Sequence, residues 1–571
     1  MIKADLQKKI EGICILLGIE RKVTLEHPQE LTHGDFATSI ALSAAKDLKQ
    51  NPKELAEIIA GKIRELGDES IKDVSVAGPG FINIALTQKA LLEELSRVLE
   101  GSEKYGQNKL HQGKKILVEH SSPNLFKPFH IGHLMNNAIG EAITRIIKNT
   151  EADTTVISYP SDISLGIAKA IRYVIQNGGE DWVKKTRGVD DIQNFIAYAG
   201  PAYVEGTKAY EESEQVQKEV REIANKLYKR ESGSELTIFE SCKELNLRYF
   251  DLITQRLGSN FDGFIFESET GPIGKNLVQE NVPRVFTESE GAVIYEGEKQ
   301  GLHTRVFINK DGNPTYEAKD LGLLSLKFER YSPDVSIFVT DHEQGPYFKV
   351  VASAAGEINK DWQDKTVHLT HGRMTFKGAK MSSRLGGIPT AEEVLNTIKE
   401  VAKEKFTERS VGMDIDVFAD MVAIAALKFS ILKVAPGKPV NFDPEEALSF
   451  EGDSGPYIQY TYVRTRALLE KGAAVNIFPQ VAEKYVVSDV ERILYRFEEV
   501  ALLSAQEYAP HHIAHYLLEV AQAFNSWYAQ EKVIDENNTE LSAHRLAIAS
   551  AVGTVVKNGL NLLGIETPER M

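Results

Sequence analysis

Two histidines three residues apart, His130 and His133, flank Gly132 in the stretch FHIGH, and Lys127 stands three residues before the first of them. If this stretch opens a helix, both imidazoles leave one face of its first turn. Their N–H donors and the lysine ammonium would then surround an end that already carries unpaired backbone N–H groups and partial positive charge. That combination suits the phosphates of a nucleoside triphosphate better than a neutral ligand. Gly132 would let the nucleotide approach the backbone. A second group of cations, Lys380 and Arg384 in GAKMSSR, lies some 250 residues downstream, just after an apolar run from Thr366 to Leu369.

The elements around the histidines fit such a role. Ile116 to His120 is an apolar run of strand length, and Pro123 and Pro128 forbid a continuous helix through the next segment. Apolar residues then recur with helical spacing at Ile131, Leu134, Met135, Ala138, Ile139, Ala142, Ile143, Ile146 and Ile147, with Pro128 at the expected helix entrance. The unit reads as strand, loop and helix start. Thr154 to Ile171 repeats the pattern of strand then helix, as a parallel sheet requires.

The two histidine- and lysine-bearing motifs together resemble the signatures of class I aminoacyl-tRNA synthetases, and the longer context SSPNLFKPFHIGH is similar to the arginyl-tRNA synthetase branch. The resemblance implies an α/β fold: a Rossmann-like, doubly wound parallel-sheet catalytic domain with an α+β N-terminal domain and an all-α C-terminal domain. It implies ATP with Mg²⁺ as cofactor and L-arginine and tRNA(Arg) as partners. The reaction would form arginyl-adenylate and transfer arginine to the tRNA's terminal adenosine, releasing AMP and diphosphate. His130, His133, Lys127 and Lys380 would be catalytic, with Gly132, Met381 and Ser382 joining His130, His133 and Lys380 around ATP. Arginine would meet Glu119, Ser121 and Asn124 of VEHSSPN, Tyr316 and Asp320 of TYEAKD, and Gln344 of DHEQGPYF. Carboxylates, amide oxygens and a tyrosine hydroxyl satisfy the five donors of a planar guanidinium, whereas a lysine would leave acceptors unpaired. Two departures from the commonest family form stand out. Ser383 occupies the position of the usual second lysine of the downstream motif, and Ser161, Ile163 and Ser164 surround Asp162 where Gly, Trp and Gly are more frequent.

Length and composition bound the architecture. The 571 residues are too many for one core. A hydrophobic fraction of 42% and a charged fraction of 26% exclude a largely disordered chain. Cys14 and Cys242 are the only cysteines, so neither a disulfide framework nor a cysteine zinc site is expected, and a reducing cytoplasm is the simplest setting. ICILLGI, between Glu11 and Glu20, is too short to span a membrane and too acidic in its flanks for a targeting peptide. A net charge of −16 argues against coating nucleic acid by bulk electrostatics, but recognition of folded RNA through local patches and stacking survives it.

Three consecutive domains are expected. Residues 1–105 form an N-terminal unit whose GPGFINI strand is similar to the family's contact for the outer corner of tRNA, with Phe81 and Asn83 at the matching positions and Phe81 placed to stack on a D-loop base. Residues 113–435 form the catalytic domain, with an insertion at about 180–295 and a linking stem at about 395–435. Its second half begins at Thr304, so loops after Asn309, Thr340 and Thr370 should face the histidine loop. The charge run EESEQVQKEVREIANKLYKRE reads as a solvated helix face, and FESETGPIGKN as loop. Residues 436–571 are helical and resemble an anticodon-binding domain, with Tyr460, Trp527 and Met571 the candidate base contacts. A monomer is expected. A small-molecule nucleotidyl transferase would share the histidine motif without needing the outer domains, and a non-catalytic RNA-binding relative would keep the domains without the chemistry.

Overall fold

The computed structural model describes residues 1–187, 192–377, 390–406 and 414–571. Compactness divides the chain into two units that each draw on distant segments.

One unit contains Met1–Asn108 with residues 457–503 and 515–559. Its antiparallel sheet has the order β1–β3–β2, formed by β1 (Phe36–Thr38), β2 (Ile71–Ala77) and β3 (Phe81–Leu86). Along β3 Ile82, Ile84 and Leu86 are buried against the helices Ile2–Leu16, Ile40–Leu48 and Pro52–Glu65, while Phe81 and Asn83 fall on the other face. That is the period of two expected of a half-buried strand. The β2–β3 turn needs Gly80: its φ is +140°, and a Cβ there would sit 2.9 Å from the Pro52 carbonyl oxygen.

The other unit contains Lys109–Pro456 with residues 504–514 and 560–571. It is built on a five-stranded parallel sheet from β4 (Lys115–Glu119), β5 (Asp153–Ser158), β6 (Gly263–Phe264), β10 (Val335–Asp341) and β11 (Thr366–His371), in the order β11–β10–β4–β5–β6. Strand order reverses between β4 and β10, so a crevice opens at their carboxyl ends, where Glu119 lies opposite Phe338. Ile116, Leu117 and Val118 are buried, as a central parallel strand requires.

Three expectations are corrected here. Arg305–Ile308 is a strand, β9, but it pairs antiparallel with β8 (Ala292–Tyr295), itself paired with β7 (Thr287–Ser289), in a separate small sheet. The second half of the parallel sheet therefore starts at β10, and Asn309 does not line the crevice. The segment at 180–295 is not wholly an insertion, because β6 completes the sheet edge from within it. FESETGPIGKN is not a loop but most of the helix Glu267–Glu280. Glycines on two helices serve close packing: a Cβ on Gly274 would lie 1.7 Å from the Ala318 carbonyl oxygen, and one on Gly322, in the helix Tyr316–Tyr331, would lie 2.2 Å from that of Thr270. The helices Glu267–Glu280 and Tyr316–Tyr331 thus meet backbone to backbone. The expected solvated helix is Glu214–Tyr228, which buries only Val220, Ile223, Ala224 and Leu227. The remaining short strands, β12 (Met374–Phe376) and β13 (Val440–Phe442), pair with each other.

Candidate active site

The loop after β4 is hung on neighbouring helices. Leu125, Phe126 and Phe129 are buried. The Phe126 N–H donates to Asn246 Oδ1 at 2.8 Å and the Phe129 N–H to the Tyr249 hydroxyl at 3.2 Å, both from the helix Ser234–Arg256. Ala391 N–H closes the loop onto the Phe129 carbonyl at 2.6 Å. The helix that follows is Ile131–Lys148 with His130 as its N-cap, so Pro128 lies two residues before the cap and not at the helix entrance. Asn136, one turn in, accepts from the Ser121 N–H at 2.6 Å and donates to the Val339 carbonyl at 2.7 Å. It pins the exit of β4 to β10 across the crevice. The far half of this helix is tied as firmly. Arg145 binds Glu141 at 2.6 Å, the Gly258 carbonyl at 3.0 Å and Asn561 Oδ1 at 2.8 Å. Nearby, buried Lys428 donates to the carbonyls of Leu257 and Gly564, each at 2.6 Å.

At the helix start the two imidazoles stack with centroids 3.8 Å apart. His130 Nδ1 accepts the Gly132 N–H at 3.1 Å, and His133 Nδ1 accepts the His130 N–H at 3.2 Å. Burial pushes the His133 imidazole down to about 3, helped by the charges of His130 and Lys127. Burial also lowers His130, with Lys127 adding to it. Both rings are therefore neutral near pH 7, and since each Nδ1 accepts, each proton sits on Nε2. The expected pair of extra donors is present as Nε2–H groups, but two backbone donors of the first turn are already spent on the rings. Gly132 also has a role other than the one expected: a Cβ there would meet His130 Cε1 at 3.0 Å, so its missing side chain makes room for the ring. Lys127 is half-buried, its Nζ 5.0 Å from the centre of the Tyr203 ring. Lys380, Met381 and Ser382, with Ser383 and Arg384, lie outside the described residues.

A cavity of about 630 Å³ runs from these histidines along the β4–β10 crevice. Glu119, Asn124, Tyr316, Asp320 and Gln344 all line it, as expected of a common site. Tyr316, at the start of its helix, is 59% exposed. Ser121 does not line the cavity. Its φ of +55° turns the chain, and its hydroxyl meets His120 Nδ1 at 2.9 Å and Asn137 Nδ2 at 3.1 Å, which leaves Ser122 on the cavity wall. Asp162, likewise, is an anchor: it receives Lys243 at 2.6 Å and the Ser268 N–H and hydroxyl at 2.9 and 2.7 Å. Ser164 caps the following helix.

The cavity's carboxylates are not equivalent. Glu119 forms an ion pair with buried Lys327, and Glu267 pairs with buried Lys319 at 2.7 Å. Asp320 instead accepts a short hydrogen bond from the Tyr347 hydroxyl. Burial, reinforced by Glu267 and Glu119 and opposed by the Tyr347 bond and Lys327, pushes its carboxyl up to about 7. Lys327, Tyr347, Glu267 and Asn136 are lining residues that sequence reasoning missed. Lys327 follows Asp320 by seven residues, two helical turns along the same face, and Asn136 follows His133 by three, which are the signals that could have found them.

The candidate RNA contacts are placed as follows. Phe81 is 42% exposed at the start of β3, and Asn83 is half-buried on the same face. Tyr460 and Trp527 belong to the same compact unit as Phe81, and Arg464 lies between the Tyr460 and Tyr528 rings at 4.7 and 4.8 Å. Met571 belongs to the other unit, where it packs partly buried against the large core.

Comparison with known proteins agrees along the whole chain. Residues 1–86 match the family described as arginyl tRNA synthetase N terminal domain, residues 94–436 the catalytic domain of tRNA synthetases class I (R), and residues 458–571 the DALR anticodon binding domain. The arginine–tRNA ligase of Lactobacillus delbrueckii subsp. bulgaricus is 30% identical over 556 residues, 96% of each chain. That of Clostridium perfringens is 28% identical over the same share. The fold is that of the arginyl-tRNA synthetase of Thermus thermophilus, with a TM-score of 0.80, 24% identity and full coverage of both chains. The Plasmodium falciparum enzyme gives the same TM-score at 20% identity, covering all of this chain and 99% of that one.

Proposed function

The chain belongs to the arginyl-tRNA synthetase family of class I enzymes, and from that premise we propose how its cavity divides the work. It is a ligase that activates L-arginine with ATP and charges tRNA(Arg), releasing AMP and diphosphate. One observation carries the assignment of roles: a single cavity has neutral imidazole donors at one end and, at the other, a carboxylate bonded to a tyrosine instead of a cation.

In the first step an oxygen of arginine's carboxylate attacks the α-phosphate of ATP, the bond to the β-phosphate breaks, and pyrophosphate leaves with the electron pair. The Nε2–H groups of His130 and His133 face the phosphates, and donors fixed before the reaction stabilise charge as it develops. Lys127, with Lys380, Met381 and Ser382 of the downstream motif, completes the ATP site. Mg²⁺ comes as the counter-ion of ATP's own phosphates, because imidazoles and lysines at this end offer a dication no oxygen ligands. Asp320 takes the guanidinium, with Tyr316 beside it, while Asn124 and Gln344 hold the α-amino acid portion. In the second step a hydroxyl of the terminal adenosine attacks the adenylate's carbonyl and AMP departs.

We assign residues 1–105 to the outer corner of tRNA through Phe81 and Asn83, 113–435 to the chemistry, and 436–571 to the anticodon through Tyr460 and Trp527. Met571, partly buried against the core of the catalytic unit, supports a base contact less directly than these two. Among the described residues no helix is long and apolar enough to cross a membrane, and we propose a cytoplasmic monomer as the working form. ATP–pyrophosphate exchange with each amino acid, with and without tRNA, tests the assignment. Arginine alone should support exchange, and tRNA should be required for full rate. Exchange with lysine at the arginine rate would overturn it.

A further inference from the structure

Phe129, the residue before His130, has both backbone groups bound to segments far away in sequence: its N–H donates to the Tyr249 hydroxyl and its carbonyl accepts the Ala391 N–H. Ala391 opens the helix Ala391–Phe406, and Thr390 just before it bridges to His130. That helix start is capped reciprocally. The Thr390 N–H donates to Glu393 Oε2 at 2.8 Å and the Glu393 N–H to Thr390 Oγ1 at 3.2 Å. In the same first turn, Glu392 Oε1 accepts a short hydrogen bond from the Tyr249 hydroxyl. The bonds close a ring, from Phe129 N–H to Tyr249, from Tyr249 to Glu392, along the chain to Ala391, and back to the Phe129 carbonyl.

An acid is a costly way to make this link. Glu392 is 5% exposed, its Oε2 has no hydrogen-bond partner, and Arg256, whose charge favours the carboxylate, is held by Asp420. Burial raises the Glu392 carboxyl, with the Tyr249 bond opposing it, and burial also raises the Tyr249 phenol, so the shared proton stays on the tyrosine. A charge-assisted bond to a fixed phenol gives direction in return, because it sets the oxygen that receives the Phe129 N–H. We propose that Tyr249 and Glu392 are positioning residues, which fix the helix following the downstream lysine motif to the residue before His130, so that both cation-bearing segments meet the leaving pyrophosphate in register. This rests on the reading of Lys127 and Lys380 as parts of the ATP site. Lys380 precedes Thr390 by ten residues, and the ring holds the chain at Thr390 and Ala391, where the segment bearing it ends.

ATP–pyrophosphate exchange with saturating tRNA tests this on the full chain. Tyr249→Phe should lower kcat by about tenfold or more, since a misplacement of about 1 Å at a reacting group can cost about 100-fold. Arginine KM should stay near wild type. Inhibition by a sulfamoyl analogue of arginyl-adenylate, which lacks the β- and γ-phosphates, should also hold, whereas general damage to the unit would weaken it. Glu392→Ala should lose a similar factor, and Glu392→Gln, which keeps an oxygen for the phenol, should recover most of that loss. The Tyr249→Phe, Glu392→Ala double variant should be no slower than the worse single, because both break one chain of bonds. Wild-type kcat in Tyr249→Phe that is folded by its melting curve, a parallel loss of analogue binding, or losses that multiply in the double variant would each overturn the proposal. Should Tyr249→Phe fail to fold, the two Glu392 variants decide: equal rates in Ala and Gln refute it. Full turnover in Lys380→Ala would instead refute the reading of the ATP site.

Discussion

His133 takes the backbone N–H of His130 on its Nδ1 while the two rings stack 3.8 Å apart, so each imidazole is committed to the backbone on one edge and has one donor left, on Nε2. Asparagine places its amide near the Nδ1 position of histidine, and glutamine reaches the Nε2 position. His133→Gln should therefore keep a phosphate donor and lose the cap, whereas His133→Asn should keep the cap and lose the donor. Steady-state exchange should show Gln about tenfold faster than Asn, since a donor aimed at developing charge is worth more than this in other enzymes. Thermal melting should rank them the other way, with Asn the more stable by about 1 kcal/mol. Both rankings reversed, with Asn the faster and Gln the more stable, would mean that the ring edges are exchanged.

Arginine binding should be proton-linked through Asp320. Its carboxyl is raised to about 7, with burial as the largest cause, and a guanidinium binds the carboxylate form. Below pH 7 the free enzyme is protonated there and the substrate must displace that proton, so arginine KM should rise about tenfold per pH unit and level off above 7. His133, His120 and His368, lowered to about 3, 4 and 4, do not change charge in this range. Asp320→Asn should abolish the slope and raise KM by about 10² or more, from an unpaired cation. A flat KM from pH 5 to 8 in the wild type would remove Asp320 from the guanidinium site.

Lys127 should supply charge that Ser383 cannot. It sits on the loop anchored by Asn246 and Tyr249, and its one described contact of charge is with the Tyr203 ring, so its ammonium is not consumed by an ion pair among the described residues. Pyrophosphate gains charge as it leaves, and a lost cation is felt there more than in the ground state. Lys127→Ala should lower kcat by about 10² with little change in ATP KM, and Ser383→Lys should restore part of the loss. Wild-type turnover in Lys127→Ala would mean that the downstream loop suffices.

Phe81→Ala should weaken tRNA binding by roughly 1 to 3 kcal/mol, the cost of one stacked base. Because the ring is 42% exposed and the buried face of β3 belongs to Ile82, Ile84 and Leu86, the melting temperature should hardly move. Gel-shift titration and a melting curve on one preparation separate the outcomes: a large loss of stability with unchanged tRNA affinity would make Phe81 a packing residue.

What could be read from the sequence was set by local periodicity. The strand, loop and helix around His130 were legible because five residues of strand, two prolines and a helical apolar stripe leave little choice. The partner of β9 was not, since a four-residue strand carries its burial pattern but not the identity of its neighbour; exposed Val306 beside buried Phe307 hints only that one face is open. Gly271, Pro272 and Gly274 were misread as breakers because composition does not distinguish a turn from two helices in backbone contact. At the site, residue types and spacing located Asp320 and Gln344. They could not show that Glu119 is already paired or that Ser121 faces inward, since both depend on side chains more than a hundred residues away or on one positive φ.

The tie between the histidine-bearing helix and residues 560–571 also sets the order of events during synthesis. Gly564 emerges 136 residues after the Lys428 it satisfies, and Asn561 emerges 416 residues after Arg145. At translation speeds of about 5 to 20 residues per second, Lys428 waits roughly 7 to 30 s for its second carbonyl. Throughout that interval a nascent chain with nearly its whole parallel sheet outside the ribosome still has an open seam beneath the active-site helix. The catalytic unit becomes complete only after translation has passed residue 564, and a stalled ribosome carrying anything shorter holds an unfinished enzyme.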